Sequence, residues 1–126
     1  MKRMLLLMAV ISGFAVFTAQ SEPLSGDGIN TLISGKRVFL KTPYGLEFPL
    51  RYNSDGTVSG DASGFTMAKM LAPKETGKWW IKGPKLCQQW KTWYNGKALC
   101  FTIDHTGSST LDWKRDDGLA GTARIE

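Results

Sequence analysis

The sequence predicts a mainly β fold: a small antiparallel meander of about seven or eight strands, closed as a barrel or folded as a sandwich, with one short N-terminal helix and one disulfide. Three observations carry this. From Lys36 onward, short alternating apolar runs are separated by turn residues at intervals of about 8–12 residues. The only two cysteines, Cys87 and Cys100, flank one of those turns. Setting them opposite each other sorts the neighbouring apolar residues onto a single face.

That hairpin is the most constrained piece of the chain. With Cys87 facing Cys100, Leu86 faces Phe101, Gln88 faces Leu99 and Trp90 faces Lys97. Side chains alternate faces along a strand, so Leu86, Trp90, Leu99, Phe101 and Ile103 share one side and the disulfide lies on the other. A two-residue turn centred on Asn95-Gly96 would set Cys100 opposite Lys91 and separate the sulfurs beyond the roughly 7 Å between Cα atoms that a disulfide tolerates. The loop therefore runs from about Lys91 to Gly96, with Asn95 and Gly96 supplying positive φ at its end. Closing a loop of about 14 residues is worth roughly 3 kcal/mol on the chain-entropy model.

The first 21 residues read as a secretory signal peptide. Lys2 and Arg3 form a basic start, Met4–Ala19 is apolar apart from Ser12 and Thr18, and Ala19-Gln20-Ser21 is a small-x-small cleavage site. The apolar stretch is short for a membrane span, so no span is expected after cleavage. Residues 22–126 then form a single β-domain in an oxidising, periplasmic or extracellular setting, where disulfides persist. Without Lys2 and Arg3, fourteen basic and eleven acidic side chains leave a charge of +3. The charges are dispersed rather than gathered in a stripe, which argues against nucleic acid as a partner.

Residues 24–35 read as a short helix. Ser25 or Asp27 caps its start, Ile29, Leu32 and Ile33 share a face, and Gly35 suits the position after its end. Strands follow at Lys36–Lys41 and Leu46–Tyr52, around a turn at residues 42–45. In the second, Leu46, Phe48, Leu50 and Tyr52 share a face, while Pro49 lacks a ladder donor and predicts an edge strand or a bulge. Asn53-Ser54-Asp55-Gly56 turns into Thr57–Gly60. Residues 64–72 fit neither period cleanly and suggest an irregular strand. Pro73–Gly77 reads as a loop before the strand Lys78–Lys82, and Gly83-Pro84 turns into the cysteine hairpin. Asp104–Ser108 reads as a turn, Ser109–Lys114 places Leu111 and Trp113 inward, Asp116-Asp117-Gly118 turns, and Leu119, Gly121, Ala123 and Ile125 alternate in the last strand.

The order of motifs resembles a family of small exported proteobacterial proteins of unknown function. The shared outline is a Leu-Ser-Gly-type helix ending in glycine, the turn Asp55-Gly56-Thr57, Gly77-Lys78-Trp79, Leu86-Cys87 through Trp90, and Cys100-Phe101. The resemblance implies a secreted, disulfide-bearing β-domain and assigns no activity.

Candidate chemistry is sparse. Trp79, Trp90 and Trp113 fall on apolar faces and are expected in the core. Trp80 points the other way, with Lys78 and Lys82, and Trp93 and Tyr94 lie in the hairpin loop. Exposed aromatics beside amides and cations stack on sugars or clasp proteins, so Trp80, Trp93, Tyr94, Lys78 and Lys82 are the candidate binding residues. His105, the only histidine, stands near Asp104, Ser108 and Ser109, but one apparent turn does not make a nucleophile, base and orienting group. One histidine and two paired cysteines do not supply a zinc site. Asp112, Asp116 and Asp117 lack the calcium-loop pattern. No phosphate-cradling loop occurs, and no cofactor is expected.

These readings predict a non-enzymatic exported domain that binds an envelope or host protein, or a glycan. The alternative is a small-ligand carrier with an aromatic-lined cavity of lipocalin type, whose Gly-x-Trp element Gly77-Lys78-Trp79 resembles.

Overall fold

The computed structural model describes residues 22–41, 47–63 and 74–126. The signal-peptide reading, the turn at residues 42–45 and the irregular strand at residues 64–72 lie outside them. Helix α1 (Gly26–Ile33) precedes eight strands: β1 (Lys36–Lys41), β2 (Glu47–Tyr52), β3 (Thr57–Asp61), β4 (Lys74–Lys82), β5 (Lys85–Trp90), β6 (Ala98–Gly107), β7 (Thr110–Arg115) and β8 (Ala120–Ile125). Each strand pairs antiparallel with the next, and β1 pairs with β8 through Val38↔Ile125 and Leu40↔Ala123. The result is a closed barrel, so the sandwich is set aside and no strand is left with an open edge.

The two-residue period divides wall from interior. Val38, Leu50, Tyr52, Val58, Trp79, Leu86, Trp90, Ile103 and Leu111 are buried inside, while their strand neighbours point to the outer wall. Burying one such large side chain contributes about 1.5–3 kcal/mol. The interior closes almost completely below Gln88, where only a void of about 30 Å³ remains.

Helix α1 plugs one end. Ser25 caps it, its Oγ accepting from the Gly28 N–H at 3.1 Å. Ile29 and Ile33, four residues apart and thus on one face, are fully buried against the barrel. Gly35 follows with φ of +75°, and its N–H donates to the Tyr52 carbonyl at 2.7 Å. This ties the helix end to the end of the barrel where β2 turns into β3 and β4 into β5. The opposite end, crossed by the β5–β6 and β7–β8 loops, carries the short 3-10 turn Trp93–Gly96 and no α-helix among the described residues.

Four local expectations are corrected. Residues 74–77 are strand rather than loop, because β3 offers partners throughout: Gly60↔Glu75 and Val58↔Gly77. Gly77 must lack a side chain there, since a Cβ would stand 2.4 Å from the Gln89 carbonyl oxygen. Residues 104–107 continue β6 instead of turning, as Asp104↔Asp112 and His105↔Leu111 extend the ladder with β7 before an irregularity between His105 and Gly107. Leu119 precedes β8 and is 53% exposed. β2 is not an edge strand, since it pairs with both β1 and β3, but Pro49 sits where its pairing is one-sided: it faces Phe39 in β1, and the β2–β3 ladder ends beside it at Leu50↔Gly60.

Candidate functional site

The cysteine hairpin has the register expected of it: Leu86↔Phe101, Cys87↔Cys100 and Gln88↔Leu99, with the disulfide formed and Cα atoms 4.1 Å apart. The bond lies on the outer wall. Trp80 pairs with Cys87 there, so an indole and a cystine sit side by side across three strands. Cys87 is fully buried despite facing outward, flanked by Trp80 and Cys100. Lys78 and Lys82 share that outer face and are exposed, whereas Trp80 is half-buried.

The end of the barrel opposite α1 holds a cavity of about 300 Å³, lined by Leu40, Phe48, Leu50, Gln88, Trp90 and Trp93, with Thr92, Tyr94 and Asn95 at its rim. Its aromatic wall is continuous: Trp93 packs on Trp90 at 4.6 Å between ring centroids and edge-on to Phe48 at 5.6 Å. Trp93 reaches inward because Gly60 lies beneath it. A Cβ on Gly60 would stand 2.6 Å from the indole.

Gln88 gives this apolar chamber a polar floor. It is the one buried polar side chain of the described core, and its Oε1 accepts from the Tyr52 hydroxyl at 2.6 Å. The same side chain lines the cavity. Burial pushes the Tyr52 phenol well above its ordinary range, with the nearby Tyr94 adding to the shift, so the hydroxyl remains a neutral donor. Tyr52 also stacks edge-on to Trp79 at 5.8 Å, and Trp79 Nε1 donates to the Asn53 carbonyl at 2.8 Å.

The rim is held by Glu75. Its Oε1 accepts from the Thr92 N–H at 2.8 Å and from the Thr92 hydroxyl, and its Oε2 accepts from the Trp93 N–H at 2.9 Å. Desolvation pushes the carboxyl up, but these three donors and the charge of Lys91 outweigh it and hold Glu75 below the usual carboxylate range. Beyond the latch, Tyr94, Asn95 and Gly96 all have positive φ (57°, 56° and 69°). For a tyrosine that backbone is strained, and such strain is concentrated at binding and active sites. The Gln89 side chain donates to the Gly96 carbonyl at 2.8 Å, and Arg115 lies 5.5 Å over the Tyr94 ring.

The five candidate binding residues thus divide. Trp93 and Tyr94 meet at the barrel mouth, while Trp80, Lys78 and Lys82 stand on the outer wall and do not join them. Sequence reasoning missed Gln88 and Glu75 as site residues. Gln88 left a signal, since the cysteine register already set an amide on an apolar face. Glu75 left none while its segment read as a loop. His105 is exposed on β6. Asp117 pairs with Arg115 at 2.6 Å, and that pairing with the Leu119 N–H holds its carboxyl at about 2, which fits a closed turn. Among the described residues no three metal-ligating side chains converge, and no helix is long and apolar enough to cross a membrane.

The fold and site define an eight-stranded meander barrel, plugged at one end by a helix and carrying an aromatic chamber at the other. No family model, curated protein or solved structure matches the chain.

Proposed function

We propose that the protein is an exported small-ligand carrier whose barrel mouth takes a compact, mainly apolar molecule bearing a hydrogen-bond acceptor such as a carbonyl. The observation that carries this reading is the pairing of the Phe48–Trp93–Trp90 wall with the buried polar side chain of Gln88, which lines the same cavity. An apolar enclosure with a few convergent polar groups is the usual form of a small-molecule site, and about 300 Å³ lies at the lower end of the range for such pockets. The ligand is therefore small. The glycan or protein partner expected from a single patch of Trp80, Lys78, Lys82, Trp93 and Tyr94 is less well supported, because those residues face different spaces. Export to the periplasm or beyond rests on the N-terminal sequence and on the disulfide, which suits an oxidising compartment.

Titration with the neutral fluorophore N-phenyl-1-naphthylamine tests the site. Saturable binding that quenches tryptophan emission is expected, weakened about 10-fold by Trp93→Ala, a loss of about 1.4 kcal/mol. Binding that survives both Trp93→Ala and Gly60→Val would place the probe elsewhere and end this reading.

A further inference from the structure

A second concave surface lies outside the barrel wall, where the β2–β3 ladder stops at Leu50↔Gly60. The depression measures about 690 Å³ and is lined by charged and hydroxyl side chains. Register places Arg37, Arg51, Ser59 and Thr76 in one outer row, through Arg37↔Arg51, Arg51↔Ser59 and Ser59↔Thr76. Because Gly77 pairs with Trp90, Lys91 continues that row on the far side of Thr76. With strands about 4.8 Å apart, the row spans roughly 19 Å.

Two cations directly opposite each other on neighbouring strands destabilise a sheet. Arg37 and Arg51 stand in that relation, and among the described residues neither has a carboxylate within ion-pair distance. The guanidinium of Arg37 lies 5.9 Å from the centre of the Phe39 ring. The two carboxylates of the depression are otherwise engaged. Asp61 accepts from the Ser63 N–H and hydroxyl and lies 3.9 Å from Lys74 Nζ. Glu75 turns inward to Thr92 and Trp93, with Lys91 close enough to act on it electrostatically. On its other side Arg37 stands opposite Glu126, whose carboxylate is taken by Arg124 at 2.6 Å. Two guanidiniums without an ion-pair partner thus stand at one end of the row and lysines at the other, with two hydroxyls between.

We propose that this row binds a sulfated or phosphorylated oligosaccharide. Planar guanidiniums take the oxygens of a sulfate or phosphate ester two at a time. Ser59 and Thr76 offer donors and acceptors to the sugar hydroxyls between the charges, and Lys91 meets a second ester. An inorganic ion would use one end of the row only. A flat anionic lipid surface would not enter a depression between strands. The charged row lies on the outer face of the wall and none of its side chains lines the ligand chamber, so its failure leaves the carrier reading intact.

Calorimetric titration of the mature protein with sulfated maltotetraose at low ionic strength tests it. Binding is expected to weaken as salt rises, and to fall about 10-fold or more in Arg37→Gln and in Arg51→Gln, while Lys114→Gln, an exposed cation on β7, changes it less than about 2-fold. Both arginines are exposed, and the two variants are expected to melt no lower than the parent. Equal binding of unsulfated maltotetraose, an equal loss in Lys114→Gln, or full competition by an equal concentration of inorganic sulfate would each overturn the proposal. So would arginine-dependent binding to vesicles rich in anionic lipid without binding of the tetrasaccharide.

Discussion

The Tyr52 hydroxyl donates to Gln88 Oε1 at 2.6 Å, joining β2 to β5 through the middle of the barrel. The bond lets an amide remain inside an otherwise apolar interior, where Gln88 also lines the mouth cavity. A buried hydrogen bond is worth about 1 kcal/mol net, but an abandoned buried acceptor costs about 1–3 kcal/mol. Tyr52→Phe is therefore expected to lower unfolding stability by about 1–3 kcal/mol. The double change Tyr52→Phe, Gln88→Leu should recover part of the loss, as read by urea denaturation of all four members of the cycle. Additive losses would mean that the two groups do not interact.

The Glu75 latch predicts an acid-sensitive rim. Its folded carboxyl lies below the ordinary value of 4.5, so its stabilisation is complete above that value and is lost as pH falls through the lower, folded one. Amide exchange at Thr92 and Trp93, compared with that of the barrel strands, should rise selectively on acidification below about pH 4.5. In Glu75→Gln these amides should already exchange faster at neutral pH, with little further dependence on acid.

Gly60 and Trp93 offer a test that separates the chamber from the fold. Gly60→Val puts methyl groups where the indole now lies, so Trp93 must swing out of the mouth. The expected results are a red-shifted tryptophan emission and loss of naphthylamine binding, with the barrel still folded by far-UV dichroism.

Trp79 and Trp80 are adjacent and have opposite fates. Trp79→Ala empties an interior position that is 7% exposed and should cost about 3–5 kcal/mol. Trp80→Ala removes a half-buried side chain from the outer wall and should cost less. Because Trp80 flanks Cys87, the same variant should also speed reduction of the disulfide by dithiothreitol, measured as thiol release. Equal melting of the two variants would contradict the inside–outside assignment.

Replacing both cysteines by alanine should lower stability by about 2–4 kcal/mol while preserving the strand signal at low temperature. The bond crosses neighbouring strands that already hydrogen-bond, and it lies outside the core. A double variant that melts with the parent would show that the barrel needs no staple.

Much of the wall was readable from local pattern. The cysteine spacing and the two-residue period together assigned Leu86, Trp90, Phe101 and Ile103 to the interior, because each face follows from its immediate neighbours and the bond. Helix α1 was legible from its cap at Ser25 and from Ile29 and Ile33 four residues apart. The strands were readable as far as turn residues punctuated them. Where they did not, pairing decided instead: β4 starts early and β6 ends late because the adjacent strands β3 and β7 supply partners there.

The sequence by itself determined which side chains share a face and how one hairpin closes, since both depend on neighbours a few residues apart and on the reach of a disulfide. The tertiary structure alone decided that β1 meets β8, that α1 plugs one end, and that Glu75 and Gly60 bring Trp93 into the other. It also decided that Arg37 and Arg51 share a row with Ser59 and Thr76. Each of these relations joins separate strands or distant segments. It arises from closing the sheet on itself, where burial of a common interior, rather than any local preference, selects the partner.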